Sequence, residues 1–336
     1  MKIGIVTQPL LNNYGGIIQN YALQKTLRRF EYEPVTFDCR YKSIPWWVYL
    51  CSWLKTILCF FIPGKRRTFA KITTVEKRRN VFEDFVSKNI SKTMPVTSLS
   101  RNLNLTDKLD AFIAGSDQIW RPKYAPDIEE AFLGFLKKDS VRRVAYAASF
   151  GVDEWEYTAK QTRVCSALAK KFDFISVREE SGVKLCKEHL GVDAVWVLDP
   201  TLLLDESDYL DLCKNVQISS EKYLAAYVLG MNEDVQRTCE KIANEKGLTL
   251  KMFSADAQAS LSVPEWLAMF RDASYVVTDS FHGTVFSIIF GKEFKCIYNE
   301  VRGAARFESL LNLYNSGKLE KMRQFSLNWL KNALET

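Results

Sequence analysis

The stretch that decides the fold is YVVTDSFHGTVFSIIFGK, residues Tyr275 to Lys292. Residues 275–278 form a short apolar, β-branched run and residues 284–290 are almost entirely apolar, which predicts a buried strand followed by a buried helix. The polar residues 279–283 then form a strand-to-helix loop at the carboxyl end of a strand, where open α/β sheets bind ligands. The stretch therefore predicts an α/β fold with a ligand site at this loop.

This loop contains His282, one of only two histidines in the chain. The amides of Gly283 and Thr284 are expected to be unpaired at the helix start and therefore suited to binding an anion. The alternative is that Ser280 and His282 merely cap the helix. Both interpretations place these side chains at the carboxyl end of one strand.

The alternation of strands and helices extends along the chain. Helices are predicted over 75–88, 156–171 and 234–246, between apolar runs that are typical of strands. The strands are expected within 2–8, 34–38, 109–120, 142–150, 172–180 and 194–204, and then within 223–230, 248–253, 275–278 and 293–299. Strands that alternate with helices indicate parallel sheets joined by right-handed crossovers. We therefore predict two Rossmann-like domains whose parallel sheets face each other across a cleft.

The two domains are expected to span 1–204 and 205–336. An apolar and basic insertion of about 44–80 interrupts the first domain, and a helix over 319–334 ends the second. Because loops 115–120 and 280–284 each follow a strand of their own sheet, we expect them to meet at the same crevice.

Composition and charge fit a soluble protein and exclude several classes. The 336 residues are 47% hydrophobic and 26% charged, which is ordinary for a globular chain. The formal net charge of +6 suits anionic partners but is too small to indicate nucleic-acid binding. The eight cysteines form no C-x-x-C pair, so neither a metal site nor a disulfide framework is expected. The first residues, MKIGIVTQPL, enter a strand without a secretory signal, which predicts a cytoplasmic location.

The segment IPWWVYLCSWLKTILCFFIPGKRR, residues Ile44 to Arg67, departs from this soluble character. Its apolar run approaches the ~20 residues that cross a bilayer, but the internal Lys55 and flanking prolines favour a helix lying in the membrane interface. The basic residues that follow could hold anionic lipid headgroups, giving peripheral contact through 44–79 at the inner face of the cytoplasmic membrane. The alternative is a helical hairpin packed on the protein's own core or on a second copy.

Six motifs, in order, resemble those of one enzyme family. They are NNYGGIIQNYALQKTL, GSDQIWRP, YAASFG, SVREESG, VLDPTLLL and TDSFHGTVFSIIFGKEF, and through them residues 2 to about 311 resemble the polysaccharide pyruvyl transferases. The resemblance implies a GT-B-like fold. It also implies transfer of a pyruvyl group from phosphoenolpyruvate to two hydroxyls of a sugar, giving a cyclic ketal and inorganic phosphate. The implied acceptor is a precursor of a surface polysaccharide such as a capsule or exopolysaccharide, in some members carried on a lipid.

For the donor site, the resemblance implies phosphoenolpyruvate as co-substrate and no further cofactor. A carboxylate and a phosphate close together require arginine forks and amide donors. Arg178 matches the family's candidate for this task, the alternative being a surface arginine paired with Glu179 or Glu180. His282 is the candidate general acid or phosphate-holding group, because imidazoles ordinarily titrate near neutral pH.

One donor residue departs from the family pattern. Many members carry R-L-H-G where this chain has S-F-H-G, so Ser280 stands in place of an arginine. Arg302 or Arg306 is the expected substitute, since NEVRGAARFESLL could fold back to the cleft; the alternative is that both face solvent. The predicted donor residues are Arg178, Ser280, His282, Gly283, Thr284, Arg302 and Arg306.

The predicted acceptor site lies on the first domain. Asp117 follows a strand and could accept the proton of the attacking hydroxyl, which makes it the third predicted catalytic residue beside His282 and Arg178. The indole of Trp120 is suited to stacking on a sugar ring. The alternative is that Asp117 caps a helix and Trp120 packs inside. The other predicted acceptor residues are Gln118 in the same loop and Asn13, Tyr14 and Gly15 in the loop after the first strand.

Two other functions stay open at this point. A GT-B glycosyltransferase that uses a nucleotide sugar would have the same architecture, since fold does not determine function. Against it, no acidic ribose-binding residue follows a glycine-rich turn. A non-catalytic scaffold of polysaccharide assembly is the third possibility, and the missing arginine keeps it open.

Overall fold

A computed structural model gives the structure of the chain. It describes residues 1–11, 13–40, 72–102, 106, 108–125, 127–137, 140–254, 261–297 and 304–335, with the backbone alone at 72–80 and 305. The apolar segment 44–63 and Arg302 lie outside these residues, so the predictions made for them stay predictions. In the described part of the chain, no helix combines the length and the apolar character that crossing a membrane requires.

Six parallel strands form the first sheet. They are β1 (Lys2–Val6), β2 (Glu33–Thr36), β3 (Ala111–Ala114), β4 (Arg142–Ala148), β5 (Phe174–Val177) and β6 (Val195–Trp196). Their order is β2-β1-β3-β4-β5-β6. The strand order reverses at β1, which makes the crevice beyond the carboxyl ends of β1 and β3 a topological switch point, the usual ligand position in such sheets.

Four parallel strands form the second sheet. They are β7 (Tyr223–Tyr227), β8 (Thr249–Phe253), β9 (Tyr275–Thr278) and β10 (Phe294–Cys296), in the order β10-β9-β7-β8. The order reverses between β7 and β9, so this sheet has its switch point beyond their carboxyl ends. Two parallel sheets connected by helices confirm the predicted α/β class with two Rossmann-like halves.

Helices connect the strands and cover the sheets. They are α1 (Tyr14–Arg29), α2 (Ile72–Asn89), α3 (Ile128–Ala131), α4 (Ala159–Ala169), α5 (Glu180–Leu185), α6 (Glu206–Cys213), α7 (Glu233–Lys246), α8 (Val263–Arg271), α9 (Phe281–Ile289), α10 (Ala305–Asn315) and α11 (Leu319–Glu335). A π-helical turn, Cys186–Leu190, extends α5, and a 3-10 helix, Pro200–Leu202, follows β6. Helices α4, α6 and α8 each start with a capping box. In this motif the N-cap side chain accepts from the amide three residues later, and the side chain of that later residue accepts from the N-cap amide.

The C-terminal helix α11 packs on the first sheet. Its buried Leu330 and Leu334 belong to the same apolar cluster as Ile3 and Val144 of that sheet. The prediction of a helix here is confirmed. Its later part packs on the first sheet, whereas Leu319 and Met322 at its start pack against the cluster that holds Phe307 of the second half. The amphipathic pattern of α11 indicates an apolar face, and only the three-dimensional path of the chain determines which sheet covers that face.

Helix α1 joins the two halves. One part of it packs on the first sheet, whereas Tyr14 at its start stacks on Trp266 of α8 with ring centroids 5.1 Å apart. The edge of the Phe82 ring completes this contact at 4.8 Å, and the Tyr14 hydroxyl donates to the carbonyl oxygen of Leu261 at 2.6 Å. The two switch points are therefore held close together by apolar packing.

Candidate active site

A cavity of about 350 Å³ lies where the two switch points meet. The first half lines it with Gln8, Pro9, Leu11, Asn13, Asp117, Gln118 and Tyr124, and the second with Leu229, Asp279, Ser280, Phe281, His282 and Arg306. Its size lies within the range of about 300–1,000 Å³ that is usual for small-molecule pockets. The cavity brings together the two loops that were expected to share one crevice.

Asp117 is the carboxylate that the first half presents to this cavity. Its φ of 70° lies in the left-handed region, which aspartate tolerates better than most residues. One carboxylate oxygen, Oδ1, accepts from Arg178 Nη2 at 3.1 Å, and Oδ2 accepts from Asn13 Nδ2 at 3.4 Å. Burial by itself raises the pKa of Asp117, but the charge of Arg178 and of other nearby cations outweighs it and holds that pKa below its usual value. The carboxylate is therefore ionised at neutral pH and able to accept hydrogen bonds.

A second buried ion pair lies behind Asp117. Arg178 follows β5, Asp199 follows β6, and Arg178 Nη1 donates to Asp199 Oδ2 at 2.8 Å. Burial alone would raise the pKa of Asp199, but its contacts with His282 and Arg178 lower it well below its usual range. Asp199 is also fixed by Thr201, whose hydroxyl donates to Oδ1 at 2.7 Å.

The structure corrects the prediction that Arg178 contacts the donor. Its side chain is 1% exposed and stands outside the cavity lining, because Asp117, Asp199 and the ring of Phe281 enclose the guanidinium. The alternative of a surface arginine paired with a neighbouring glutamate is wrong as well. Arg178 is a buried cation that connects the two aspartates and thereby fixes the position of Asp117.

His282 lies in the first turn of α9 and lines the cavity from the second half of the protein, whereas Asp117 lines it from the first half. Its Nε2 is 3.7 Å from Asp199 Oδ2, a distance compatible with charge attraction but beyond a hydrogen bond. The imidazole packs against Gly15 of α1, where a Cβ atom would lie 2.0 Å from Nδ1. A glycine at this position is what allows the two halves to approach so closely around the histidine.

The amides at the start of α9 are engaged, contrary to prediction. Gly283 N–H donates to Ser280 Oγ at 3.4 Å, and Thr284 N–H donates to the Ser280 carbonyl oxygen at 3.0 Å. The helix begins three residues earlier than its apolar run, because Ser280 is its N-cap. The amides of Gly283 and Thr284 therefore bond within the first turn of α9. Ser280 both caps this helix and lines the cavity.

Arg306 is the cation of the second half that lines the cavity. It belongs to α10, is 7% exposed, and lies over the ring of Phe281 at 5.7 Å. Burial lowers the pKa of Arg306 to about 10, and the like charge of Arg178 contributes to the decrease. The side chain still carries its charge at neutral pH. Arg306, one of the two arginines predicted as substitutes at this site, lines the same cavity as Ser280.

The family is established by a family model for the polysaccharide pyruvyl transferases, which matches residues 13–300. The chain belongs to the polysaccharide pyruvyl transferase family. The match spans nearly the whole chain, so the resemblance derived from the six motifs is confirmed. The family is one of transferases that act on polysaccharide.

Several solved structures are similar to this pyruvyl transferase family member at low sequence identity. The UDP-GlcNAc 2-epimerase of Methanocaldococcus jannaschii is 11% identical with a TM-score of 0.44, over 88% of this chain and 83% of the other. The UDP-GlcNAc 2-epimerase of Neisseria meningitidis is 11% identical with a TM-score of 0.45, over 99% of each chain. The Streptomyces glycosyltransferase SsfS6 is 9% identical with a TM-score of 0.37, over 98% of this chain and 96% of the other. No curated protein matches the sequence significantly.

The predicted acceptor residues of this family member divide into two groups. Asn13 and Gln118 line the cavity, as expected for acceptor contacts. Trp120 is fully buried and stacks on Phe132 with centroids 4.5 Å apart, so the prediction that it stacks on a sugar is wrong and its alternative, packing inside, is right. Tyr14 is likewise excluded as a contact, because its ring is buried in the interface described above. Gly15 acts by admitting His282 and not by touching an acceptor.

Asp199 is the main residue of the site that the sequence-based prediction missed. It stands directly after a predicted strand in VLDPTLLL, the same position relative to its strand that made Asp117 a candidate. Asp279 was placed in the loop but given no role; its carboxylate accepts from the amides of Leu229 at 2.6 Å and Gly230 at 2.8 Å, which closes the second half's side of the cavity. In the described part of the chain, no group of three or more metal-binding side chains occurs.

Proposed function

We propose that this protein transfers a pyruvyl group from phosphoenolpyruvate to a sugar of a cell-surface polysaccharide or its lipid-linked precursor, forming a pyruvate ketal and releasing phosphate. The observation that carries the proposal is the joint presence of Arg306, His282 and Asp117 in the wall of one cavity of a pyruvyl transferase family member. These groups are a cation, a proton donor and a proton acceptor.

The donor end of the cavity suits a small, doubly anionic molecule. Arg306 supplies a buried positive charge, which is attractive to phosphate and carboxylate oxygens. Helix α9 begins at the cavity wall, and α1 also begins there, at Asn13, without a side-chain cap on its first turn. The positive ends of two helix dipoles therefore point toward the cavity and favour a bound anion.

In the proposed reaction, His282 donates a proton to the methylene carbon of phosphoenolpyruvate, turning it into a methyl group. The double-bond electron pair forms the new C–H bond and leaves positive charge on the adjacent carbon, shared with its oxygen. A sugar hydroxyl attacks that carbon, and its proton passes to Asp117. Proton transfer of this kind requires a donor and an acceptor on separate sides of the reacting carbon, and the two side chains come from separate halves of the protein.

Ketal formation then requires loss of phosphate and a second attack. The carbon–oxygen bond to phosphate breaks, the leaving phosphate takes the electron pair together with the proton held by Asp117, and Arg306 stabilises its remaining charge. The second sugar hydroxyl bonds to the same carbon and gives up its proton, which returns the histidine to its protonated form. One phosphoenolpyruvate and one diol thus give one ketal and one phosphate, without a further cofactor.

In this proposal Arg178 is a positioning residue. It holds Asp117 at 3.1 Å and Asp199 at 2.8 Å, and both carboxylates face the region of His282. A fixed Asp199 orients the imidazole by charge attraction, while a fixed Asp117 is kept ready for the acceptor hydroxyl. We further propose that the reaction takes place in the cytoplasm at the inner face of the membrane, where a lipid-linked acceptor would be reached.

The test is calorimetric titration of phosphoenolpyruvate and, separately, of UDP-sugars. Wild type should bind phosphoenolpyruvate saturably, Arg306→Gln should bind it at least tenfold more weakly, and Arg237→Gln should match wild type, since that arginine is 68% exposed on α7. His282→Asn should bind the donor but lose phosphate release with a panel of sugars. Binding of a UDP-sugar in place of phosphoenolpyruvate would instead assign glycosyl transfer, and binding of neither by the folded protein would favour a non-catalytic scaffold.

A further inference from the structure

We propose that a second chamber beside the catalytic cavity binds a methyl-bearing sugar residue of the acceptor glycan, either an acetamido sugar or a 6-deoxy sugar. The inference rests on the proposed function, because it assumes that the neighbouring cavity modifies a glycan. It adds a specificity subsite on the first half of the protein, away from the donor residues.

The second chamber has a volume of about 390 Å³ and shares the side chains of Gln8 and Pro9 with the catalytic cavity. It lies beyond the carboxyl ends of β1, β2 and β3, the edge of the sheet where ligands bind. Gln8 is held in the shared wall, because its Nε2 donates to the carbonyl oxygen of Gln118 at 2.9 Å. In this proposal, a glycan whose reacting residue lies near Asp117 extends past Gln8 and Pro9, and its next residue occupies the second chamber.

The lining of the chamber is largely aliphatic. Its apolar members are Val6, Pro9, Leu99, Ile119, Ala125 and Ala131. No aromatic side chain is among the described residues that line it, so these residues offer no flat surface on which a whole sugar ring stacks. Small aliphatic groups instead form a concave surface that gains by burying a methyl group.

The polar groups of the chamber select against anions. Asp127 and Glu130 border it, and Glu130 Oε1 accepts from the hydroxyls of Ser98 and Ser100, each at 2.8 Å. Burial by itself raises the pKa of Glu130, but hydrogen bonds from the segment 98–100 outweigh it and keep the carboxylate ionised. The bordering cation, Arg40, is already committed to Asp38 with Nη2 2.7 Å from Oδ2.

The aliphatic lining and the two carboxylates together suit a neutral occupant. It has a methyl group at one end and N–H or O–H donors at the other. An acetamido group combines a methyl with an amide N–H, and a 6-deoxy sugar combines a methyl with ring hydroxyls. A uronic acid or a phosphorylated sugar would be repelled by the two carboxylates. An unsubstituted hexose would offer donors to the carboxylates but would leave the aliphatic wall without a partner.

The experiment compares matched sugars by ligand-observed saturation-transfer NMR. The pairs are N-acetyl-D-glucosamine against D-glucose, and L-rhamnose against L-mannose. Wild type is expected to favour the methyl-bearing member of at least one pair by about tenfold or more, a margin that one buried, matched contact can supply. The pair that shows the preference identifies the substituent as acetamido or 6-deoxy.

Two variants narrow the chamber. Ala125→Leu fills it from the wall, and Thr97→Leu fills it from an exposed lining position where folding is not at risk. Ala159→Leu, at an exposed position of α4, is the matched control. The preference should disappear in both chamber variants and persist in the control, while the phosphoenolpyruvate affinity measured by calorimetry stays within twofold of wild type in all three.

Equal affinities within both sugar pairs would overturn the inference, as would a preference that survives both chamber variants at unchanged thermal midpoints. The donor titration reports separately on the proposed function. If wild type binds phosphoenolpyruvate but shows no sugar preference, only the subsite is wrong; if it shows the preference but binds no phosphoenolpyruvate, the donor assignment is wrong and the glycan subsite stands.

Discussion

At the scale of single residues, Gly15 determines how closely the two halves approach around His282. A Cβ atom at Gly15 would lie 2.0 Å from Nδ1 of the imidazole, so Gly15→Ala must displace either the ring or the start of α1. We expect phosphoenolpyruvate binding to weaken at least tenfold, even though alanine favours a helix by about 0.5–1 kcal/mol over glycine. Gly16→Ala is the control, since its Cβ would lie 3.3 Å from Asn13 Nδ2 and needs only a small adjustment. Unchanged donor affinity in Gly15→Ala would show that the contact is not needed for binding.

A second prediction at this scale is that an arginine at position 280 can replace Arg306 as the cation of the cavity. Ser280 and Arg306 line the same cavity, and Ser280 stands where the resemblance to the family implies an arginine. If Arg306 replaces that cation, Ser280→Arg should restore donor binding to Arg306→Gln by about tenfold, because one charge returns to the same cavity. Calorimetric titration of the single and double variants measures this. If the variant with both Ser280→Arg and Arg306→Gln lost donor affinity by the sum of the two single losses, the two positions would contact different parts of the ligand.

At the scale of elements, α11 is the helix whose loss should destabilise the first half. Leu330 is fully buried among residues of the first sheet. Leu330→Ala should lower the free energy of unfolding by about 2–5 kcal/mol, through lost burial and the cavity it leaves. Leu210→Ala, at a 36% exposed position of α6, should cost less than about 1 kcal/mol. Urea denaturation at neutral pH compares the two, and equal losses would mean that α11 does not support the first sheet.

The sequence predicted elements better than it predicted what each element contacts. Apolar runs located every described strand of both sheets, because buried parallel strands are rich in apolar residues. They also located β8 and β10, which are only partly buried. The run 194–204 yielded only a two-residue strand, since the Asp199–Pro200 step begins a 3-10 helix. In the site, the rule that ligands bind beyond the carboxyl ends of parallel strands identified Asp117 and His282. The rule could not distinguish a side chain that points into the cavity from one that points away from it. Arg178 and Trp120 point into the interior, and the direction of each side chain is determined only by packing between residues that are far apart in the sequence.

At the scale of the whole molecule, the buried carboxylates make stability depend on pH. The pKa of Asp199 is lowered on folding, so its contribution to the free energy of unfolding is complete above its ordinary value of 3.8 and declines as the pH falls below that. Asp199→Asn, which leaves Arg178 with one carboxylate partner, should be less stable by about 3 kcal/mol at pH 7. The gap between wild type and variant should narrow as the pH falls below about 4. Denaturant titrations at a series of pH values measure it, and a gap that stays constant would contradict the ion-pair assignment.

The return of α11 to the first sheet means that the backbone crosses between the halves twice, once after residue 204 and once within α11, between Met322 and Leu327. Two backbone connections permit the second half to rotate about the line that joins them, but they oppose twisting or translation away from it. Any opening of the cleft would thereby be confined to a single direction of motion, and it would first have to break the stacking of Tyr14 on Trp266. The open position that admits substrate and the closed position that aligns the catalytic residues would then be two points along one rotation. A substitution that stiffens either connection should slow product release without changing the chemistry of the closed site.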